Sequence, residues 1–108
     1  MGKFIISQRN GQYYFSLKAS NGQTILVSEG YTSKAACHNG IQSVKMNSRD
    51  LLKFEKKIAS NNKFYFTLKA GNGQILGLSE LYLSEAARDN GIEAVKANAE
   101  TVTIEDKS

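Results

Sequence analysis

The stretch YFSLKASNGQ at residues 14–23 returns as YFTLKAGNGQ at residues 65–74. A second stretch, NGIQSVKMN at 39–47, returns as NGIEAVKAN at 90–98. Both pairs are 51 positions apart, and residues 14–47 align at this offset without a gap and with 20 identities in 34 positions. The chain is therefore a tandem duplication. A feature that the unit requires should occur in both copies.

Each copy begins with alternating apolar and polar residues, which is typical of a strand with one buried face. In the first copy Tyr13, Phe15 and Leu17 are predicted on the buried face. Asn21-Gly22 follows, and Asn-Gly supplies the two positive-φ positions of a tight hairpin turn. The residues predicted to be buried on the next strand of each copy are Ile25, Val27, Leu76 and Leu78.

After these strands the apolar residues change to a helical period. Cys37, Ile41 and Val44 stand at i, i+4 and i+7, and Ser33 precedes them as a candidate N-cap. Gly40 falls inside this pattern, where glycine costs about 1 kcal/mol relative to alanine. We predict a continuous helix in which the glycine allows close approach to the sheet. The alternative is a break into two short helical turns.

The resulting unit is β-β-β-α-β, because Asn10-Gly11 indicates one more hairpin before the quoted strands. The last strand of the first copy runs directly into the first strand of the second copy at 54–59. We therefore predict one α+β domain over residues 1–108, with repeats at 3–53 and 54–105. In this domain the two repeats share one antiparallel sheet, both helices lie on one face, and a pseudo-twofold axis relates the halves.

The blocks YFTLKAGNGQ, SEGYTSKAA and NGIQSVKMN resemble the YegP-like family of small bacterial proteins. The resemblance covers about residues 3–104. It implies a doubled β3-α-β unit with one shared sheet and exchanged terminal strands. It implies no activity, because the family has none established.

The composition bounds the class of protein. Hydrophobic residues make up 41% and charged residues 22% of the chain, which is typical of a globular domain. With one cysteine, no apolar run long enough to span a membrane and no signal sequence at 1–9, a cytoplasmic protein without membrane attachment is expected. The net charge of +4 resides in residues 1–50, since residues 51–108 hold eight basic and eight acidic side chains.

Catalytic and metal-binding groups are scarce. One cysteine and one histidine do not build a tetrahedral metal site, so neither a metal nor another cofactor is expected. Cys37 and His38 are neighbours on the predicted helix, pointing about 100° apart, and Arg88-Asp89 replace them in the second copy. A core cysteine beside a solvated histidine is the favoured interpretation.

One serine-glutamate pair recurs, as Ser28-Glu29 and Ser79-Glu80, each just before a tyrosine. A general base beside a serine is one interpretation. The other, which we favour, is a connection in which Ser or Glu caps backbone donors and the tyrosine packs under the helix. The chain is accordingly not expected to be an enzyme.

The face of the sheet opposite the helices is the candidate binding surface, which we call the open face. Its predicted residues are Tyr14, Ser16, Lys18, Tyr65, Thr67 and Lys69, with Thr24, Leu26 and Ile75 as possible additions. We expect a non-catalytic interaction module with a protein partner. The alternative is weak nucleic-acid binding, because aromatic residues interleaved with lysines suit base stacking and phosphate contact. A monomer is expected, since the tandem chain should satisfy its own strand exchange.

Overall fold

The computed structural model describes residues 2–108, which form seven strands and two helices. In chain order the strands are β1 Lys3–Arg9, β2 Gln12–Lys18, β3 Thr24–Val27, β4 Phe54–Ile58, β5 Phe64–Lys69, β6 Ile75–Leu78 and β7 Ile104–Asp106. The helices are α1 Lys34–Asn47 and α2 Glu85–Asn98. A short 3-10 turn, Leu51–Lys53, leads into β4.

The strands form one sheet in the order β4-β5-β6-β3-β2-β1-β7. This confirms the predicted α+β fold with one shared sheet and two helices. The sheet is mixed where an antiparallel one was predicted, because β7 pairs with β1 in parallel. Strand β7 follows α2 and runs opposite to β6. Because the paired strands β1, β2, β3 and β6 alternate in direction, β1 also runs opposite to β6, and β7 is therefore parallel to β1.

The two halves are related by a pseudo-twofold axis between β3 and β6. Each helix packs against the middle strand of its own repeat and also against two strands of the other repeat. Helix α1 contacts β2, β5 and β6, whereas α2 contacts β5, β2 and β3. The helices and sheet bury one contiguous cluster, whose largest fully buried side chains are Phe4, Phe15, Phe66, Ile6, Leu17 and Leu26.

The predicted burial along β3 and β6 is correct for Ile25 and Leu76 and wrong for the residues that follow them. Val27 and Leu78 were expected in the core but are 37% and 36% exposed, whereas Leu26 was expected on the open face and is fully buried. The cause is a register shift in each hairpin, between Leu17 and Lys18 and at the equivalent place in the second copy. Such a bulge adds one residue to a strand and reverses the side-chain alternation beyond it.

Both helices are continuous through their glycines, as predicted. Ser33 caps α1 by accepting a hydrogen bond from the Ala36 N–H at 3.1 Å, and the second copy repeats this cap. A Cβ atom on Gly40 would overlap the Tyr31 hydroxyl and touch the Phe15 ring. The glycine is therefore needed because a tyrosine ring lies between the helix and the sheet.

Candidate functional site

The recurring serine belongs to the backbone framework. The Ser28 hydroxyl accepts a hydrogen bond from the Phe15 N–H at 2.9 Å and donates one to the Glu29 carbonyl at 2.9 Å. Ser79 makes the same two bonds in the second copy. Both hydrogen-bonding functions of the hydroxyl are thus engaged beside the bulge, which agrees with the favoured capping interpretation.

The tyrosine after each serine packs under its helix. The ring of Tyr31 stacks on Phe15 at 6.1 Å between centroids, and that of Tyr82 stacks on Phe66 at 6.5 Å. Burial raises the pKa of both tyrosine hydroxyls, so they remain neutral at physiological pH. These tyrosines act as structural spacers between the helices and the sheet.

Cys37 is a core residue. Its side chain is fully buried, and burial together with the nearby carboxylate of Asp106 raises the pKa of its thiol. His38 beside it is half-buried. Within residues 2–108 no group of three or more His, Cys, Asp or Glu side chains is placed to hold a metal ion. None of the helices in this part of the chain is long and apolar enough to cross a membrane.

The open face has an apolar centre. Successive strands pair residue by residue across it, and the central pair is Val27 opposite Leu78. These two side chains are about one-third exposed and lie at the pseudo-twofold axis. The complete row across the sheet is Glu105, Ile5, Ser16, Val27, Leu78, Thr67 and Glu55.

The six predicted binding residues lie on this face but form two separate groups. Tyr14, Ser16 and Lys18 are on β2, and their counterparts Tyr65, Thr67 and Lys69 are on β5. Strands β3 and β6 lie between the groups, which places them about 14 Å apart at the usual strand spacing. Thr67 is only 1% exposed, so its hydroxyl is not available to a partner.

Ion pairs flank the apolar centre on both sides. In the second copy Glu55 contacts Lys57 at 2.8 Å and Lys69 at 3.2 Å. These two ammonium groups, that of Lys57 first, hold the pKa of the Glu55 carboxyl below its ordinary value. On the other side of the apolar centre, Glu105 of β7 contacts Lys3 of the first copy at 2.7 Å. Much of the positive charge on this face is therefore already compensated.

A groove of about 340 Å³ opens beside β2 on the same face. The Arg9 guanidinium lies over the Tyr14 ring at 4.7 Å, and Ser7, Ser16 and Val27 are among the other residues that line the groove. Arg9 was not singled out from the sequence, because it lies outside the stretch that aligns without gaps. Its contact with Tyr14 follows from their diagonal positions on paired strands.

The duplicated architecture defines a small tandem-repeat α+β protein. Its single sheet carries both helices on one face and has the open face on the other. The chain belongs to the family described as "Domain of unknown function (DUF1508)", whose model matches residues 9–53 and 59–106. The resemblance to YegP-like proteins is thereby confirmed. The double match also agrees with the duplication that the internal alignment predicts.

Two relatives illustrate the similarity. The chain is 49% identical to UPF0339 protein YegP of Escherichia coli strain K12 over 108 residues, which are 99% of this chain and 98% of YegP. It is 52% identical to a UPF0339 protein of Acinetobacter baylyi over 97% of this chain and 96% of that relative. Their names state no activity, and the function of the family is unknown.

Two solved structures share the fold. The solution NMR structure of yegP from Escherichia coli, a protein of unknown function, superimposes with a TM-score of 0.93 at 50% identity and covers 98% of this chain and 92% of its own. That of UPF0339 protein SO3888 from Shewanella oneidensis gives 0.92 at 49% identity, with coverages of 97% and 90%.

Proposed function

We propose that this chain is a non-catalytic module that binds a protein partner through its open face. The observation that carries the proposal is the exposed apolar pair Val27 and Leu78 at the centre of that face. Apolar residues at the centre of a patch with polar residues around them are typical of protein interfaces. Here the polar rim is supplied by the compensated ion pairs around Glu55 and Glu105.

The two rim tyrosines fit the same proposal. Tyr14 and Tyr65 are both partly exposed and lie on opposite sides of the apolar pair. From strand spacing and rise along the strands, they are about 20 Å apart. A partner that covers the apolar centre and reaches both rings needs a contact surface of macromolecular size. Tyrosine is also among the residues that contribute most to binding at such interfaces.

The test is capture of partners from cell lysate on immobilised protein, with two double variants of the bait. Removing the apolar pair with Val27→Thr and Leu78→Thr, or the aromatic rim with Tyr14→Ser and Tyr65→Ser, should reduce capture at least tenfold. The matched control is Leu52→Ser with Val102→Ser, which removes two side chains of similar hydropathy that are 91% and 89% exposed elsewhere. Capture that is equal for all three baits would refute a site on the open face.

Weak nucleic-acid binding is the second candidate, and the groove at Arg9 favours it. Among the described residues, neither Arg9 nor Lys18 has a carboxylate within ion-pair distance, whereas Lys57 and Lys69 share Glu55. A stacked guanidinium beside a tyrosine offers a nucleotide both charge and an aromatic surface. The two cations of the first repeat should therefore matter more than Lys69, contrary to the equal roles that the sequence predicts.

Fluorescence anisotropy of labelled single-stranded and double-stranded oligonucleotides, at low and near-physiological salt, tests this second candidate. Arg9→Gln with Lys18→Gln should weaken binding about tenfold and reduce the salt slope by about two. The control pair, Lys57→Gln with Lys69→Gln, removes the same charge from the ion-paired cluster and should have a smaller effect. Equal effects of both pairs, or binding that vanishes with added salt, would leave only nonspecific attraction.

A further inference from the structure

The two outer edges of the sheet differ. On one side β7 covers β1, with hydrogen bonds from the Phe4 N–H to the Thr103 carbonyl at 3.0 Å and from the Lys107 N–H to the Ile6 carbonyl at 2.8 Å. On the other side β4 is outermost, and no strand of residues 2–108 lies beyond it. The chain therefore has a separate covering strand for only one of its two edges.

The unpaired backbone groups of β4 can be assigned from its neighbour. Phe66, which lies opposite Lys56, uses its N–H and its C=O in bonds to Ser79 of the connection after β6. In an antiparallel pair of strands, two residues directly opposite one another point their N–H and C=O groups either both toward each other or both away from each other. The N–H and C=O of Lys56 therefore point outward, and by alternation so do those of Ile58.

The side chains of β4 are self-complementary. Its sequence is Phe54-Glu55-Lys56-Lys57-Ile58. If two copies align antiparallel about Lys56, each Glu55 faces Lys57 of the second copy, and each Phe54 faces Ile58 of the second copy. The charged pairs then lie on the open face and the apolar pairs on the helix face. Opposite charges and apolar side chains placed directly across strands both stabilise pairing.

The positive charge of Lys56, the central residue of β4, is balanced by an ion pair within each copy. The Lys56 ammonium lies 3.2 Å from Asp89 on α2, and this contact is the main cause that lowers the pKa of the Asp89 carboxyl. Two Lys56 side chains can thus approach with less repulsion than two free cations. A charge that points from an edge strand toward the helices otherwise discourages association.

A groove with an apolar floor lies beside this edge. Its volume is about 410 Å³; Leu51, Phe54 and Ile92 form its apolar part, and the polar residues Lys56, Asp89, Asn90 and Glu93 complete its lining. At the covered edge Ile104 lies opposite Phe4 and packs on the core. Phe54 corresponds to Phe4, because each lies opposite the equivalent leucine of its neighbouring strand. The groove is therefore the counterpart of the place that Ile104 fills in the first repeat.

We propose that the β4 edge is a self-association surface at which two copies of this chain pair β4 with β4 antiparallel, extending the sheet across a twofold axis. Ile58, which is 62% exposed in the single chain, then stands beside this groove of the second copy. The expectation of a monomer rested on the strand exchange, which covers one edge only. This surface shares Glu55 and Lys57 with the polar rim of the proposed open-face site, but it does not include the apolar pair Val27 and Leu78.

Charge exchange within β4 gives a direct test by sedimentation velocity over a hundredfold range of concentration. The wild-type chain should show a concentration-dependent dimer. Glu55→Lys alone and Lys57→Glu alone each create two like-charged contacts and should weaken dimerisation about tenfold or more. The double exchange Glu55→Lys with Lys57→Glu should restore it, and an equimolar mixture of the two single variants should form a heterodimer.

A backbone variant provides an independent check. Lys56→Pro removes an N–H that points outward and the exposed ion pair with Asp89, which contributes little to stability, so the single chain should stay folded while the dimer is lost. A wild-type chain that stays monomeric at every concentration would overturn the proposal. A dimer that still forms in Lys56→Pro and is unaffected by the charge exchanges would also overturn the proposal, because the copies would then associate through another surface.

Discussion

Replacing Gly40 by alanine should lower the free energy of unfolding by about 3 kcal/mol, although the same change in an exposed helix raises it by about 1 kcal/mol. The sign reverses because the added methyl group would overlap the hydroxyl end of Tyr31 and press on Phe15. Tyr31 cannot retreat, since its backbone is bonded to Tyr13 in both directions at 2.8 Å. Thermal denaturation should show a fall of about 4–8 °C for each kcal/mol lost.

Two further variants make this prediction specific. Gly71→Ala adds the same methyl group where it meets only the Lys53 ammonium at 3.8 Å, and it should leave the melting temperature nearly unchanged. Tyr31→Phe removes the atom closest to the new methyl group, so it should recover part of the loss in the Gly40→Ala background. An unchanged melting temperature for Gly40→Ala would mean that the helix and the sheet are less closely packed than described.

Ending the chain after Thr103 should have the second large effect, a loss of about 3 kcal/mol of stability together with exposure of Cys37. The truncation removes the partly buried Ile104 and the ion pair that joins Asp106 to Lys34 on α1 at 2.9 Å. Asp106 lies close enough to Cys37 to raise the pKa of the thiol, so β7 borders the end of the core that holds this buried side chain.

Labelling of Cys37 with an aromatic disulfide reagent measures this exposure, and denaturant unfolding measures the stability. We expect labelling at least tenfold faster in the truncated chain. Ile104→Ala should give part of the loss in stability, and Val102→Ala, at a side chain 89% exposed in the same segment, should give almost none. A truncated chain with wild-type stability and an unreactive thiol would show that β7 is dispensable.

The duplicated architecture could be predicted from the sequence because its determinants are local. Asn-Gly turns, alternating residues and the Ser33 cap each act within a few positions, and both copies carry most of them. The bulge after Leu17 could not be predicted in this way. It leaves no distinctive residue, yet it reverses the faces of Leu26 and Val27 and so creates the apolar centre of the open face.

The candidate site was predicted only in part, because strand order is a long-range property. The two groups of predicted residues lie on one face, but β3 and β6 separate them. The burial of Thr67 depends equally on its surroundings. The neighbouring strand β4 places Glu55 directly opposite Thr67, and Glu55 gathers Lys57 and Lys69 around itself.

The difference between the two edges explains why some equivalent positions carry different residues in the two copies, which the repeat pattern alone does not explain. Ile6 is fully buried beside β7, and its counterpart on the uncovered edge is the solvated Lys56. Cys37 is likewise replaced by Arg88, whose guanidinium lies over the Phe64 ring at 5.4 Å. Polar side chains thus occur where no strand covers the core.

The parallel pairing of β1 with β7 also sets the order in which the molecule is completed during synthesis. Strand β1 is made about 100 residues before its outer neighbour, residues 104–106. The outer edge of β1 must therefore stay uncovered in the nascent chain until those residues have been made. Because contacts so distant in sequence also form slowly, this step should be the one at which a chaperone has most to protect.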